Sequence, residues 1–337
     1  MSRFRVFLLT LCLTTLACMS EVVALAPTSM PVMDATLATM LAATSTSTTT
    51  PTLAPTLTPT PAPLARRVLI LSIDGLRPDA IPLAPMPNLT SLMQNSAYSL
   101  NAQTIHPSAT LPAHVSMLSG QCPSKHGVNW NDYLPENGYA QVIDLFDIAH
   151  AAGLQTVMYV GKEKLQQITE PSSVDIFHYI NDRDLVITET LIQNFPEDFG
   201  LMFVHFPTAD WMGHVYGWLS GEQLSVLFRA DQAIANLLSE LDARGLRDET
   251  LIIITSDHGG HGNIHGSSQY EDMTIPWIAA GPGIQPVALS TQITTIDTAA
   301  TAAYALNLPI PLEWDGMPVY EAFGILEDGP IRNHCKN

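Results

Sequence analysis

From residue 66 onward, short apolar runs alternate with longer segments that carry one apolar face. The apolar runs are typical of strands buried in a parallel sheet, and they lie at 68–73, 156–160, 201–205, 251–255 and 273–280. The amphipathic segments predict helices at 87–97, 140–152, 184–194, 222–244 and 297–306. Strands that alternate with helices in this way predict an α/β fold, with a mostly parallel central sheet and helices on both of its faces.

The N-terminal segment has the pattern of an export signal. Two arginines precede a mostly apolar stretch at 6–17, which is too short to span a membrane and has the length of a signal peptide. A small residue directly before Cys18 resembles a bacterial lipoprotein signal, although Thr15 replaces the leucine usual at that position. We predict a lipoprotein-type signal peptide at 1–18 with a lipid anchor on Cys18. Secretion after cleavage near Ala26 is the alternative.

The segment that follows predicts a tether. Residues 35–65 contain no charged side chain and are rich in Thr, Pro and Ala. Such a composition cannot build a core, and its prolines keep the chain extended. We therefore predict a disordered linker at 19–65 and a folded domain at 66–337. The protein is expected to be exported to the cell surface or periplasm, with the lipid anchor as its only contact with a membrane.

Charge and cysteine content exclude some classes of protein. The 337 residues carry 14 Lys and Arg against 32 Asp and Glu, a formal net charge of −18. A nucleic-acid scaffold protein would show a basic face, so we exclude that class. The chain has 4 cysteines, too few for a disulfide-stapled fold. Of these, Cys122 and Cys335 fall in the predicted folded domain, and the sequence leaves open whether they pair.

Polar residues of metal-binding type fall where the predicted strands end. In parallel sheets, ligands bind beyond the carboxyl ends of the strands. Carboxylate and imidazole groups together suit borderline divalent cations such as zinc or manganese. The residues at these ends are Asp74, Asp210, His214, Asp257 and His258, with His265 a few positions further on. They are enough ligands for two divalent metal ions.

Thr110 is the candidate nucleophile. Pro112 marks the first turn of a helix, which places Thr110 at or near the N-cap. Thr is a good capping residue, so capping is the simple interpretation. Beside a metal cluster, however, a hydroxyl at a helix N-terminus is favoured as an alkoxide, and Thr110 is then expected to attack a substrate.

Taken together, these motifs resemble the alkaline phosphatase superfamily, and within it the type I phosphodiesterase/nucleotide pyrophosphatase branch. The resemblance runs from about residue 68 to about residue 323. Segment 110–114, Thr-Leu-Pro-Ala-His, resembles the Thr-Phe-Pro-Asn-His nucleophile motif of that branch. Segments 210–214 and 257–259 match its Asp-x-x-Gly-His and Asp-His-Gly motifs. Asn131 lies where the branch places an Asn that contacts the transferred phosphoryl group.

The resemblance implies a role for each residue. One metal ion, zinc or manganese, would be held by Asp74, Asp257 and His258, with Thr110 completing its coordination. The other would be held by Asp210, His214 and His265, for which His261 is the alternative third ligand. Asn131 would donate a hydrogen bond to a phosphoryl oxygen. The roles that the resemblance implies therefore cover the catalytic residues Thr110 and Asn131 and the metal ligands Asp74, Thr110, Asp210, His214, Asp257, His258 and His265.

The implied function is a two-metal phosphoric ester hydrolase, a phosphodiesterase/nucleotide pyrophosphatase that acts on a small phosphate ester through a phospho-threonine intermediate. A phosphomonoesterase, a sulfatase-like hydrolase and a non-catalytic surface binding protein that retains the fold are the alternatives. Close to Thr110 in sequence, only Lys125 offers a positive charge for a phosphomonoester dianion. We therefore expect diesters to be preferred over monoesters, unless Arg77 or Lys162 reaches the site from a distance in sequence.

Overall fold

The computed structural model describes residues 62–326 and Cys335. The predicted signal peptide, Cys18 and most of the predicted linker lie outside the described residues, so the domain boundaries stay a prediction. The strands are β1 (Arg67–Ile73), β2 (Ala97–Gln103), β3 (Gln155–Val160), β4 (Ile176–Tyr179), β5 (Phe199–Phe206), β6 (Thr250–Thr255), β7 (Thr274–Ala280) and β8 (Val287–Ala288). The α-helices are α1 (Ala80–Leu83), α2 (Pro87–Met93), α3 (Thr110–Ser119), α4 (Pro123–His126), α5 (Leu145–Ala151), α6 (Asp184–Gln193), α7 (Thr208–Tyr216), α8 (Gly221–Ala243), α9 (Tyr270–Met273) and α10 (Asp297–Ala305).

The strands form one sheet in the order β4-β3-β5-β1-β6-β7-β2-β8. Strands β4, β3, β5, β1 and β6 are parallel to one another, and β7 is antiparallel to both β6 and β2. The short strand β8 is parallel to β2. The α/β fold with a mostly parallel central sheet is therefore confirmed, with β7 as the reversed strand.

Each face of the sheet supports its own hydrophobic core. On one face, Val68 and Ile70 of β1 pack in a cluster with residues of α3, α5 and α10. On the other, Leu69 and Leu71 pack in a cluster with residues of α2, α6 and α8. Because successive side chains of a strand point to opposite faces, an uninterrupted apolar run such as that of β1 is what two covered faces require.

All five predicted strands and all five predicted helices are present, with ends that differ by a few residues. Helix α2 ends at Met93 rather than at 97, because residue 97 begins the unpredicted strand β2. This strand is partly exposed along its length and lacks a continuous apolar run, so its pattern did not indicate a buried strand. Helix α8 begins as predicted, with Ser220 Oγ accepting a hydrogen bond from the backbone N–H of Gln223 at 3.2 Å.

A disulfide bond joins Cys122 to Cys335, a pairing that the sequence had left open. The two cysteines are 213 positions apart, with Cα atoms separated by 5.4 Å. A bridge across so long a loop restricts the unfolded chain strongly, and such bonds typically contribute about 2–4 kcal/mol to the free energy of unfolding.

Among the residues that the structure describes, no helix is both long and apolar enough to cross a membrane.

Candidate active site

Three carboxylates meet at the carboxyl ends of three neighbouring strands. Asp74 follows β1, Asp257 follows β6, and Asp210 lies in the first turn of α7, which follows β5. Because β1 lies between β5 and β6, the topology alone brings these three positions together. All three residues are buried.

Three imidazole rings face these carboxylates through the same ring nitrogen. Nδ1 of His258, His265 and His214 lies within 2.7–2.9 Å of the backbone carbonyl oxygens of Gly259, Ser108 and Asn263. Since a carbonyl only accepts, each Nδ1 carries the proton and donates it. In the neutral ring Nε2 then carries a lone pair, which in each case is directed at the carboxylates. Hydrogen bonds of this kind commonly orient histidines that bind metals.

The Nε2 atoms approach carboxylate oxygens closely. His258 Nε2 lies 3.4 Å from an oxygen of Asp74 and 3.2 Å from one of Asp257. His214 Nε2 and His265 Nε2 lie 3.3 Å and 3.6 Å from the same oxygen of Asp210. The His258 and His265 rings stack at a centroid distance of 3.7 Å. Lone pairs of nitrogen and oxygen thus converge in two places, and a cation between them, either a metal ion or a proton on the imidazole, makes such an arrangement favourable. The hydrogen bond with Asp210 accordingly raises the pKa of His214 above its ordinary value.

The hydrogen bonding of the carboxylates agrees with this. Within the described residues, Asp74 Oδ1, Asp210 Oδ1 and Asp257 Oδ2 are buried and have no hydrogen-bond partner. Buried polar atoms are normally paired, so three orphaned oxygens in one cluster point to a missing partner. The donor set of oxygen and imidazole nitrogen is that of zinc and similar divalent ions. The residues present therefore fit a divalent metal site.

Two groups of possible ligands have their donor atoms within 4.8 Å of one another. One comprises Asp210, His214 and His265, the same three residues that the resemblance implied. The other comprises Asp74, Asp210 and His258, so Asp210 stands where Asp257 was expected. Asp257 remains beside this group through its contact with His258, while its Oδ1 accepts a hydrogen bond from the backbone N–H of Gly75 at 3.2 Å.

The cluster is short of positive charge. Burial and the negative charge of Asp74 raise the pKa of Asp257 well above its ordinary value. For Asp74, burial works in the same direction, but the Lys162 ammonium and the hydrogen bond from His205 lower the pKa well below its ordinary value. One ammonium group thus serves several buried carboxylates, and divalent cations would supply the remaining charge.

Lys162 lies in the middle of the site. The residue follows β3, and its Nζ is 2.7 Å from Asp74 Oδ2, 2.5 Å from Asp210 Oδ2 and 3.3 Å from Thr110 Oγ1. Gly161 permits this approach, because a Cβ at that position would meet a ring carbon of Pro207 at 2.3 Å. The sequence indicated Lys162 only as a distant cation that could reverse the expected selectivity.

Thr110 is the first residue of α3, and the N-cap is Ala109. Among the described residues, the hydrogen-bond contacts seen for the Thr110 hydroxyl are with His258 and Lys162 and not with the backbone of α3. Thr110 Oγ1 lies 3.5 Å from His258 Nε2, in a buried position. His114, one turn further on, donates from Nδ1 to the backbone carbonyl of Thr110 at 2.7 Å and supports this turn. The hydroxyl therefore faces the metal-binding groups rather than the helix backbone.

Of the remaining predicted residues, one lies beside the site and two have other partners. Asn131 lies beside the site, where its Oδ1 accepts the backbone N–H of Leu111 at 2.9 Å and leaves the amide NH₂ as the donor end. His261 belongs to neither group of possible ligands, and its Nδ1 contacts Asp272 at 2.6 Å. Arg77 forms an ion pair with Asp79 rather than with the carboxylate cluster.

His205 is a residue of the site that no sequence motif indicated. This residue is buried near the end of β5, and its Nδ1 accepts a hydrogen bond from the backbone N–H of Gly161 at 3.2 Å. Its Nε2–H therefore donates to Asp74 Oδ2, 2.8 Å away. A histidine inside an otherwise apolar strand was the available signal. His205 orients a carboxylate of the site and fixes the backbone next to Lys162.

A mostly parallel sheet with Asp, His and a buried Thr hydroxyl at the ends of its strands defines a protein of the alkaline phosphatase superfamily. Residues 68–149 and 159–273 match the family described as "Type I phosphodiesterase / nucleotide pyrophosphatase". The chain belongs to this family, which is metal-dependent and has hydrolase activity of the phosphodiesterase/pyrophosphatase type. The resemblance stated from the motifs is confirmed.

Curated relatives are similar over part of their length. The human GPI ethanolamine phosphate transferase 2 catalytic subunit is 26% identical over 299 residues, which cover 82% of this chain and 29% of the relative. The bis(5'-adenosyl)-triphosphatase enpp4 of Xenopus laevis is 27% identical over 214 residues, which cover 57% and 47%. The chain thus spans less than half the length of either relative.

Solved structures share the fold. Murine ectonucleotide pyrophosphatase/phosphodiesterase 5 superposes with a TM-score of 0.65 at 15% identity, covering 77% of this chain and 100% of that one. The phosphonate monoester hydrolase of Silicibacter pomeroyi gives 0.61 at 14% identity and covers 78% and 77%. The 2-O glycosaminoglycan sulfatase BT1596 gives 0.64 at 14% identity and covers 79% and 76%.

Proposed function

We propose that this protein is a two-metal phosphoric ester hydrolase of the phosphodiesterase/nucleotide pyrophosphatase type, with Thr110 as its nucleophile. The observation that carries the proposal is the set of three unpartnered carboxylate oxygens that face three imidazole Nε2 atoms next to the Thr110 hydroxyl. Metal-binding groups beside a buried hydroxyl at a helix N-terminus are the parts that such a displacement needs.

We infer two divalent ions, zinc or manganese. Asp210, His214 and His265 would hold one ion. Asp74, Asp257 and His258 would hold the other, with Thr110 completing its coordination. Asp257 contacts His258 at 3.2 Å, and we therefore include it in this second set. It is not part of the group Asp74, Asp210 and His258, whose donor atoms lie within 4.8 Å of one another. The ions would supply positive charge beside the reacting phosphoryl group.

Thr110 Oγ1 would form a bond to phosphorus as the bond between phosphorus and the leaving oxygen breaks. The proton of the hydroxyl ends on the released alcohol, or on the released phosphate group when a pyrophosphate is cleaved. Water would then displace the Thr110 oxygen, restore the hydroxyl and release the phosphorylated product. Asn131, held by Leu111, would donate its NH₂ group to a non-bridging oxygen as negative charge develops there.

The comparisons support a nucleotide-like substrate class. The Xenopus laevis relative is named as a bis(5'-adenosyl)-triphosphatase, and an inactive threonine-to-alanine variant of murine ectonucleotide pyrophosphatase/phosphodiesterase 5 was solved in complex with AMP. We therefore propose small phosphodiesters and pyrophosphates, including nucleotides, as the first substrates to examine.

A panel of chromogenic esters tests the proposal. The purified protein, loaded with zinc or with manganese, is assayed on an aryl phosphodiester, the matching phosphomonoester, an aryl phosphonate monoester and an aryl sulfate. We expect phosphate-ester hydrolysis that disappears with a chelator and returns with metal. Turnover of the sulfate alone would move the protein to the sulfatase side of the superfamily. Metal binding without turnover of any ester would favour a binding protein.

We also propose that the protein is exported and anchored to a membrane by a lipid on Cys18. The N-terminal pattern and the uncharged segment at 35–65 support this. Cys18→Ser is expected to release the protein from the membrane fraction, measured by fractionation and immunoblotting. Cys12→Ser, within the same signal, is the matched control and should remain in the membrane fraction. An unchanged distribution of the Cys18→Ser variant would contradict the proposal.

A further inference from the structure

We propose that Trp218 is a positioning residue that holds His214 and His265 in place for a metal ion. Trp218 lies in the short connection between α7 and α8, directly after the helix that carries Asp210 and His214. The inference rests on the proposed function, because it concerns the ligands of one of the two proposed ions.

The indole of Trp218 fits against two glycines that belong to different ligand segments. A Cβ at Gly213, the residue before His214, would meet three ring atoms of Trp218 at 2.9 Å. A Cβ at Gly260, two residues after His258, would meet three atoms of the same ring even more closely. The backbone can approach the ring in this way because both positions lack a side chain. The ring therefore packs directly against the segment that follows β5 and the segment that follows β6.

Two hydrogen bonds fix Trp218 between these segments. Its Nε1–H donates to the backbone carbonyl of Gly75 at 2.9 Å, next to Asp74 at the end of β1. Its backbone N–H donates to the carbonyl of Gly262 at 2.7 Å, in the loop that follows β6. A buried indole N–H usually has such a partner. One residue thus contacts the backbone beside all three strands whose ends carry the carboxylates.

The ring of Trp218 also meets the imidazoles of two proposed ligands. Its centroid lies 5.3 Å from that of His214 and 5.9 Å from that of His265, with interplanar angles of 85° and 66°. Edge-to-face aromatic pairs are favourable at these distances. Each imidazole is held at Nδ1 by a backbone carbonyl, and the indole restrains its tilt about that hydrogen bond. Groups that orient metal-binding histidines typically contribute about 10–100-fold in metal affinity.

Trp314 offers a matched control in the same fold. It is 7% exposed, against 8% for Trp218, and its Nε1–H donates to the backbone carbonyl of Ile143 at 2.9 Å. Its ring also packs against a glycine, Gly120, which follows the last residue of α3. About 15 Å of helix separate this end of α3 from Thr110. The same substitution at Trp314 therefore removes a similar buried contact away from the ligands.

The test measures how tightly the zinc-loaded protein keeps its metal in competition with a chelator. Trp218→Phe and Trp218→Leu are compared with wild type and with the same two substitutions at Trp314. We expect Trp218→Leu to raise the Kd of one zinc ion per chain by about tenfold or more, and Trp218→Phe, which keeps one ring, to raise it less. The Trp314 variants should change this Kd less than about threefold. Thermal unfolding shows that each variant is folded.

The contact with Gly260 gives a second test. Gly260→Ala is expected to raise the zinc Kd about tenfold or more in wild type, because the three heavy atoms nearest to its Cβ all belong to the indole. In the Trp218→Leu background, the same change should raise the Kd less than about threefold, since Leu lacks the fused ring. An equal effect of Gly260→Ala in both backgrounds would contradict a role for this contact.

Ester hydrolysis separates this inference from the proposed function. Because Trp218 acts on the ligands, saturating zinc should restore most of the kcat/KM of Trp218→Phe on the substrate that wild type cleaves fastest. Phosphate-ester hydrolysis together with equal zinc Kd values for the Trp218 and Trp314 variants would overturn the role of Trp218 alone. A wild-type protein that hydrolyses no ester, combined with the Kd shift in the Trp218 variants alone, would instead overturn the proposed function and leave Trp218 as the residue that positions the ligands.

Discussion

Thr110→Ala is expected to lower kcat for phosphate-ester hydrolysis by at least a thousandfold while the protein stays folded. The variant removes the only atom proposed to bond to phosphorus, and loss of a catalytic nucleophile costs many orders of magnitude in comparable hydrolases. The fold should tolerate it, because the contacts seen for the Thr110 hydroxyl are with His258 and Lys162 of the site and not with the backbone of α3. Single-turnover and steady-state assays on the substrate that wild type cleaves fastest give the measurement.

Thr110→Ser is the control, because it keeps a hydroxyl at the same atom position. It should retain activity within about a hundredfold of wild type and should form a phospho-serine adduct that is detectable by mass spectrometry after rapid quenching. An Ala variant that keeps more than a tenth of wild-type activity would mean that the nucleophile is another group. Thr110 would then be a structural residue of the first helical turn.

His265→Ala is expected to remove about one metal ion per chain and to lower kcat/KM at least a hundredfold. Its Nε2 is aimed at the orphaned Oδ1 of Asp210, while its Nδ1 is held by the carbonyl of Ser108. Removal of one of three protein ligands leaves His214 and Asp210 too few donors for tight binding. Elemental analysis after dialysis against a weak chelator measures the loss independently of activity.

His261→Ala is the matched control, four residues earlier in the same loop. Its ring pairs with Asp272 and lies outside both groups of possible ligands, so the variant should retain both ions. It is expected to lower stability modestly, because Asp272 loses one partner. Retention of two ions by His265→Ala, combined with loss of one by His261→Ala, would exchange the roles of the two histidines.

The solved neighbours show why the site, and not the fold, has to carry the assignment. Sulfatases, phosphonate monoester hydrolases and ectonucleotide pyrophosphatase/phosphodiesterases superpose on this chain almost equally well. A shared fold can support unrelated reactions, so its presence does not select one of them. Within this protein, the hydroxyl at position 110 and the metal-binding groups beside it are the features from which the reaction class can be argued.

Much of this architecture follows from local sequence. Short, mostly apolar runs such as 68–73 and 251–255 favour strands with two covered faces, and their alternation with helices favours a mostly parallel sheet. A polar residue directly after such a run, as with Asp74 and Asp257, must then lie at the carboxyl edge. The direction of β7 did not follow from the sequence. Nothing in the apolar run at 273–280 distinguishes this antiparallel strand from the parallel strands of the sheet.

Only the tertiary structure decided which distant groups touch. The sequence favours His265 as the third ligand and leaves His261 as the alternative, and where each ring points depends on how the loop packs against Ser108 and Asp272. Lys162 starts from β3, which is separated from β1 by β5, and reaches Asp74 because its long side chain crosses the end of the intervening strand. Such contacts join residues that lie far apart in the chain. Their geometry is therefore set by packing across the sheet edge, which no local pattern of the sequence records.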